Sequence, residues 1–222
     1  MNILSIIPAR GGSKGIPLKN LKLVGGKPLL DYTVNASLSS KFIKRTYVSS
    51  DHDRIITRAQ KLGAEIIYRP KKFATDTSTT ESVITHCIEK LKKEGYIPDI
   101  IVLLQNTSPL RNSKHIDEAL NIFLKNKYDS LLSCYSSHYF IWKYEKQKAI
   151  PINYNPKNRP RRQNFQNQFI ENGAIYITKY SSYQKSKCRI SGNIGLYEMS
   201  EKTSLDIDTM DDLRKADQIL SS

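Results

Sequence analysis

Cysteine is scarce in this chain of 222 residues, and the three present, Cys87, Cys134 and Cys188, lie far apart. An odd number without paired spacing excludes a complete set of internal disulfides and a cysteine-based metal knuckle, and it points to a reducing cytoplasm. Long apolar runs are missing too. No segment approaches membrane-spanning length, and the opening Met1-Asn2-Ile3-Leu4-Ser5-Ile6-Ile7-Pro8 lacks the charged leader and unbroken apolar stretch of a signal peptide. Acidic residues are few, 21 Asp and Glu against 35 Lys and Arg, for a formal net charge of +14. A surplus of that size suits nucleic acid or an anionic membrane when it is gathered into arms or tails. Here it is scattered over every segment, which favours a lysine-rich solvated surface around a site for small anions over a basic nucleic-acid-binding module. Internal repeats, low-complexity tracts, a Walker A loop and a Rossmann glycine fingerprint are all absent.

What is present is an alternation of strand-like and helix-like segments. A hydrophobic content of 39% supports one substantial core, hence one domain over residues 1–222 with at most a small appendage. Ile3 to Ile7 reads as a buried strand, and Pro28 opens a helical pattern through Leu38 as a first-turn proline. Thr46-Tyr47-Val48 is the next strand; Asp53 to Leu62 is helical and stops at Gly63; Ala64 to Tyr68 is β-like. Ser78 to Lys93 is a longer helix stopped by Gly95, and Asp99 to Leu104 is the clearest buried strand. Ser113 to Lys125 adds a helix with Ser113 as N-cap, and Ser130 to Cys134 adds a strand. Such an order predicts an α/β fold with a Rossmann-like, mostly parallel sheet and helices on both faces, in which ligands lie beyond the C-terminal strand ends.

From about Tyr135 to Ile170 the alternation fails. Aromatics (Tyr139, Phe140, Trp142, Tyr154) and prolines (Pro151, Pro156, Pro160) take over. This β-rich excursion, residues 135–170, is too short for a core of its own, so its aromatics need the main domain or a second chain, and a twofold homodimer is the economical answer.

Four constellations carry chemistry. One is Lys143 with Arg161 and Arg162 in the excursion, where arginine can hold a carboxylate through paired hydrogen bonds or the segment can be a basic, exposed hairpin. Pro8-Ala9-Arg10-Gly11-Gly12-Ser13-Lys14-Gly15, followed by Lys19-Asn20, combines glycines that expose backbone N–H groups with two cations suited to a polyanion such as a triphosphate. Asp206-Ile207-Asp208 sits in a β-like run whose period of two puts both carboxylates on one face. Mg²⁺ accepts such a pair and completes its octahedron with water and phosphate oxygens; the other reading of these residues is a cap for the helix starting near Met210. Gln105, with Thr107, Ser108 and Arg111, follows the best buried strand, where Gln105 can contact a sugar's hydroxyls or carboxylate, or the segment can be an ordinary cap and proline turn. His52, His86, His115 and His138 show no ligand spacing and read as surface or packing residues.

The string Ile6-Ile7-Pro8-Ala9-Arg10-Gly11-Gly12-Ser13-Lys14-Gly15-Ile16-Pro17-Leu18-Lys19-Asn20 resembles the nucleotide-binding signature of the acylneuraminate cytidylyltransferases, the CMP-sialic acid synthetases. Arg69-Pro70, Ala74 to Ser78, Leu104 to Arg111, Arg159 to Gln163, Asn172 to Tyr176 and Asp206 to Asp208 resemble further blocks of that family in the same order. One departure is Asn106, where many relatives have proline. The resemblance implies transfer of CMP from CTP to the anomeric hydroxyl of a sialic-acid-like nonulosonic acid, with release of pyrophosphate and Mg²⁺ or Mn²⁺ as cofactor. It assigns Arg10, Lys14, Asp206 and Asp208 to catalysis, the two aspartates as metal ligands. It assigns Ala9, Arg10, Gly11, Ser13, Lys14, Asn20, Arg69, Ser78 and Thr80 to the nucleotide, and Gln105, Lys143, Arg161, Arg162, Asn172 and Tyr176 to the sugar, either arginine serving. Legionaminic acid, the deaminated acid KDN and Kdo remain alternative acceptors, and no residue stands out as a general base.

Overall fold

Alternating side chains of one short strand divide the molecule into two faces. In β1 (Ile3–Pro8), Ile3 and Ile7 join one hydrophobic cluster while Leu4 and Ile6 join another on the opposite side, as a strand's period of two requires. The same division runs through β6 (Ile100–Leu104), with Ile100, Val102 and Leu104 on the first face and Ile101 and Leu103 on the second. A computed structural model describes residues 1–165 and 168–221.

Between these strands lie β2 (Leu23–Val24), β3 (Lys27–Pro28), α1 (Leu29–Leu38), β4 (Arg45–Ser50), α2 (Asp53–Lys61), β5 (Glu65–Tyr68) and α3 (Thr80–Lys93). After β6 come α4 (Ser113–Lys125), β7 (Ser130–Ser137), β8 (Trp142–Glu145), β9 (Lys148–Pro151), β10 (Gln168–Lys179), α5 (Tyr180–Ser186), β11 (Ile194–Glu198) and α6 (Met210–Ser221). Seven strands form the main sheet in the order β11-β7-β10-β6-β1-β4-β5. All neighbours pair in parallel except β10, which is antiparallel to both β6 and β7. Helices α1, α2 and α4 cover one face and α3 and α5 the other. The sheet is thus mostly parallel and covered on both faces, as the alternation predicts. A third cluster, Ile16, Val24, Leu29, Ile207 and Ala216, docks α6 and the chain before it onto the loop after β1.

Several boundaries differ from expectation for local reasons. Pro28 is the N-cap of α1 rather than a first-turn residue. The N-cap of α4 is Asn112, whose side chain accepts from the His115 amide while His115 reciprocates, so Ser113 is the first helical residue. Thr79 caps α3 by accepting from the Ser82 amide, which starts that helix two residues after Ser78. Residues 206–208 lie outside any strand; Ile207 is buried and the aspartates face outward because a hydrophobic anchor fixes them.

Within the 135–170 excursion, β7 runs on to Ser137 and pairs with the start of β10, and β8 and β9 form a separate hairpin. Phe140 packs on Tyr154 and Phe165, while Trp142, Tyr139 and Tyr144 stay exposed. Residues 166 and 167 of this excursion lie outside the described residues. Among the described residues no helix is long and apolar enough to cross a membrane.

Candidate functional site

A cleft of about 560 Å³ opens where β1, β5 and β6 end, the edge at which a parallel sheet exposes backbone groups to ligands. The loop after β1 forms one wall. The Ala9 amide donates to the carbonyl of Ser49 at 2.9 Å, which ties the loop to β4. Gly11 is buried and its amide donates to Asp51, so neither Ala9 nor Gly11 lines the cleft. Arg10, Ser13, Lys14 and Asn20 do. Asn20 is buried and donates to the carbonyl of Arg10 at 3.0 Å, holding the turn from behind.

Arg10 and Lys14 share one acidic neighbour. Asp76 lies 3.0 Å from the Arg10 guanidinium and 3.2 Å from Lys14 Nζ, and Lys14 above all holds its carboxyl below the usual aspartate range. Arg69 follows β5, is buried, and donates to Ser49 Oγ and the Ser49 carbonyl. Burial pulls its pKa down. Ser78 and Thr80, at the entrance to α3, complete that side.

Opposite stand Asp206 and Asp208. Ile207 between them is fully buried, its amide donates to the Thr107 carbonyl at 2.9 Å, and its carbonyl accepts from Lys19 Nζ at 2.6 Å. Lys19 also reaches Asp208 at 3.3 Å. Gly15 packs so close to this segment that a Cβ there would come within 2.8 Å of the Asp208 carbonyl. The two walls of the cleft are therefore fastened to each other. Asp206 opens into the cleft yet is crowded by protein, and desolvation followed by the charge of Asp208 raises its pKa, against a lowering bond from Thr107. A carboxylate whose charge is penalised by burial and by a neighbouring carboxylate is a deficit that a hard cation relieves. Among the described residues no group of three or more His, Cys, Asp and Glu is placed to hold a metal, so an ion at this pair would draw its remaining ligands from water and substrate oxygens, as Mg²⁺ does.

Gln105 also lines the cleft. Its side chain occupies the space above Gly173, where φ is +73° and a Cβ would meet Gln105 Oε1 at 2.7 Å. Asn106 beside it is buried and donates to the Pro8 carbonyl at 3.0 Å, joining the ends of β6 and β1. Arg111 is fully buried beneath them, donating to Thr33 Oγ1 and the Gln105 carbonyl, and burial, with no acidic partner among the described residues, pushes it down to about 9.

The other sugar-side candidates are not gathered into the cleft. Asn172 is buried in a polar cluster, accepting from Ser133 Oγ at 2.6 Å and donating to Ser204 Oγ at 2.9 Å. Tyr176 is buried, bonds Glu171 through its hydroxyl and carries Arg189 over its ring. Lys143 pairs with Glu145 on the exposed hairpin. Arg161 is exposed, and Arg162 lines a second cavity of about 580 Å³ with His138, Phe165, Phe169 and Glu198. Conversely, the cleft includes Lys19, Phe73, Thr75, Asp76, Thr79 and Thr107, which were not assigned roles. Asp76 falls within the Ala74 to Ser78 stretch that resembles a family block, the one sequence signal that singles it out.

A family model for cytidylyltransferases matches residues 4–219. Among curated proteins, N-acylneuraminate cytidylyltransferase A of Danio rerio is 35% identical over 222 residues, covering 98% of this chain and 50% of that protein. The N-acylneuraminate cytidylyltransferase of Streptococcus agalactiae serotype III is 31% identical over 217 residues, covering 96% of this chain and 52% of that protein. The chain thus spans about half the length of the curated relatives it matches. Among solved structures, a CMP:2-keto-3-deoxy-manno-octonic acid synthetase complexed with CTP superposes with a TM-score of 0.75 at 19% identity, covering 100% of this chain and 99% of that one. A 4-diphosphocytidyl-2C-methyl-D-erythritol synthase from Anaerococcus prevotii gives 0.70 at 16% identity, with the same coverage.

Proposed function

The chain belongs to the cytidylyltransferase family, and from that premise we propose that it transfers CMP from CTP to the anomeric hydroxyl of a sialic-acid-like nonulosonic acid, releasing pyrophosphate. The observation that carries this reading is one cleft whose walls oppose Arg10 and Lys14 on one side to Asp206 and Asp208 on the other. A triphosphate needs cations along its chain and, at the reacting phosphorus, a counter-charge that carboxylates alone do not provide.

Arg10 and Lys14 bind the phosphate chain and balance charge as pyrophosphate departs. Ser13 and Asn20 complete the loop side, and Arg69, Ser78 and Thr80 form the cytidine and ribose side. Ala9 and Gly11 act as backbone support, since their amides are spent on Ser49 and Asp51. Asp206 and Asp208 would hold Mg²⁺, or Mn²⁺ in its place, which would supply Lewis-acid stabilisation of charge on the phosphoryl oxygens. Catalysis is mainly positioning and charge neutralisation.

Gln105 faces the acid. Asn172 and Tyr176 support it from β10, through the backbone at Gly173, rather than by direct contact. Lys143, Arg161 and Arg162 do not line this cleft, which supports a twofold homodimer in which the 135–170 excursion of a second copy closes it. The exposed aromatics of that excursion are then covered. The unpaired cysteines support a cytoplasmic setting.

The test is pyrophosphate release with Mg²⁺ across CTP, UTP, ATP and GTP against N-acetylneuraminic acid, KDN, legionaminic acid, Kdo and a sugar 1-phosphate. Release confined to CTP with a nine-carbon keto acid is the expected result. Release only with Kdo or a sugar 1-phosphate overturns the acceptor, and no release with CTP overturns the activity. Light scattering that finds a monomer removes the dimer.

A further inference from the structure

The phosphate loop already holds an anion, and the chain itself supplies it. Arg10 Nη1 donates to the Thr75 carbonyl at 2.9 Å and meets Asp76 Oδ1 at 3.0 Å, while Lys14 Nζ meets Asp76 Oδ2 at 3.2 Å. Three oxygens on adjacent residues thus engage Arg10 Nη1 and Lys14 Nζ, the charged ends of the two cations that line the cleft. This is the arrangement a phosphoryl group presents to an Arg–Lys pair.

The loop that carries these oxygens is shaped independently of the cations. Ser78 Oγ accepts from the Thr75 amide at 3.1 Å, bonds Thr75 Oγ1 at 2.8 Å and donates to the Lys72 carbonyl at 3.2 Å. The backbone turn therefore presents Asp76, whose side chain remains 45% exposed and free to swing into water. Lys14 is more exposed still, at 77%. Neither partner is locked by packing, so a ligand can separate them without unfolding anything.

We propose that Asp76 is a positioning residue that serves as an internal stand-in for substrate phosphate, holding Arg10 and Lys14 while the cleft is empty and retaking them as pyrophosphate leaves. The proposal rests on the reading of Arg10 and Lys14 as the phosphate-binding cations. Every polyphosphate must displace this carboxylate first, so its apparent affinity is reduced by the fraction of molecules in which the cations are engaged. The same competition speeds product release, because the carboxylate is tethered beside the cations and returns without diffusing.

The probe is inorganic pyrophosphate in magnesium-free buffer, which involves neither turnover nor the aspartate pair. Asp76→Asn should bind it at least about threefold more tightly than the native chain, with slower dissociation. Asp76→Glu, which keeps the charge on a side chain one methylene longer, should stay near native. Glu94→Gln, which removes one carboxylate at the far end of α3 where Glu94 is the C-cap, controls for net charge and should leave binding unchanged. Unchanged or weaker binding by Asp76→Asn overturns the proposal, as does an equal gain in Glu94→Gln. Absence of pyrophosphate binding in both native chain and Asp76→Asn overturns the phosphate-loop reading itself and the proposal with it.

Discussion

The amide of Ile207 donates to the carbonyl of Thr107 at 2.9 Å, so the Asp206–Asp208 pair hangs from the loop that leaves β6. Ile207 is also fully buried against Ile16, Val24, Leu29 and Ala216. One side chain thereby sets the spacing of two carboxylates. Ile207→Ala should cost about 2–5 kcal/mol of stability and weaken activation by Mg²⁺ beyond what the unfolded fraction explains. Urea unfolding and a Mg²⁺ titration on the same sample separate the two effects. A destabilised variant with native Mg²⁺ dependence would show that the anchor does not place the carboxylates.

Asp208 itself is exposed and contacts Lys19 rather than the core, so Asp208→Asn should leave the fold intact. On the proposed metal role of Asp208, removing that charge should cost several kcal/mol in the phosphoryl transition state, and turnover should fall at least about a hundredfold. Near-native turnover with Mg²⁺ in a purified, folded variant would remove Asp208 from the metal site.

Lys14 contributes charge and little packing. Lys14→Ala should raise the KM for CTP by about tenfold, the scale of a lost hydrogen bond to a charged group, with a much smaller change in KM for the acid. Equal effects on both substrates would place Lys14 in general activation rather than on the phosphates.

Much of this arrangement can be read from residues. The run Ile3 to Ile7 is apolar on both faces and leads into glycines, which dictates a buried strand followed by an open loop. Asp206 and Asp208 both line the cleft, but their segment is no strand, and what fixes it is Ile207's socket, a tertiary contact that spacing does not encode. The antiparallel course of β10 is likewise hidden, because strand direction is set by where the chain returns from the excursion. A register shift between Glu171 and Tyr176 then turns Asn172 inward to Ser133 and Ser204. Asp76 is hidden for a different reason: an aspartate among Thr and Ser residues has the composition of any turn, and only the approach of Arg10 and Lys14 reveals it.

Cysteine reactivity should follow burial. Burial pushes the thiols of Cys87 and Cys134 up to about 11, and both are enclosed, whereas Cys188 is partly exposed. A thiolate is the reacting form, so iodoacetamide at pH near 8 should modify Cys188 alone in the folded chain and all three after denaturation. Peptide mapping checks this, and early labelling of Cys87 would contradict the packing of α3 against the sheet.

Arg45 and Glu65 join β4 to β5 through paired guanidinium–carboxylate bonds, the Nε bond being 2.8 Å, with the guanidinium also over the rings of Tyr47 and Tyr96. The bond from Arg45 holds the Glu65 carboxyl below its ordinary value of 4.5. A carboxyl depressed by folding binds fewer protons in the folded chain than in the unfolded one, so it adds stability above pH 4.5 that is lost as pH falls through the folded value. Both side chains are about two-fifths exposed, which limits the contribution to under about 1 kcal/mol. Glu65→Gln should therefore unfold at lower urea than the native chain at pH 7, and the gap between the two midpoints should narrow as pH falls from 4.5 through the folded value of Glu65. A gap that does not narrow with falling pH would mean that the substitution acts through strand packing, not through the charge that Arg45 stabilises.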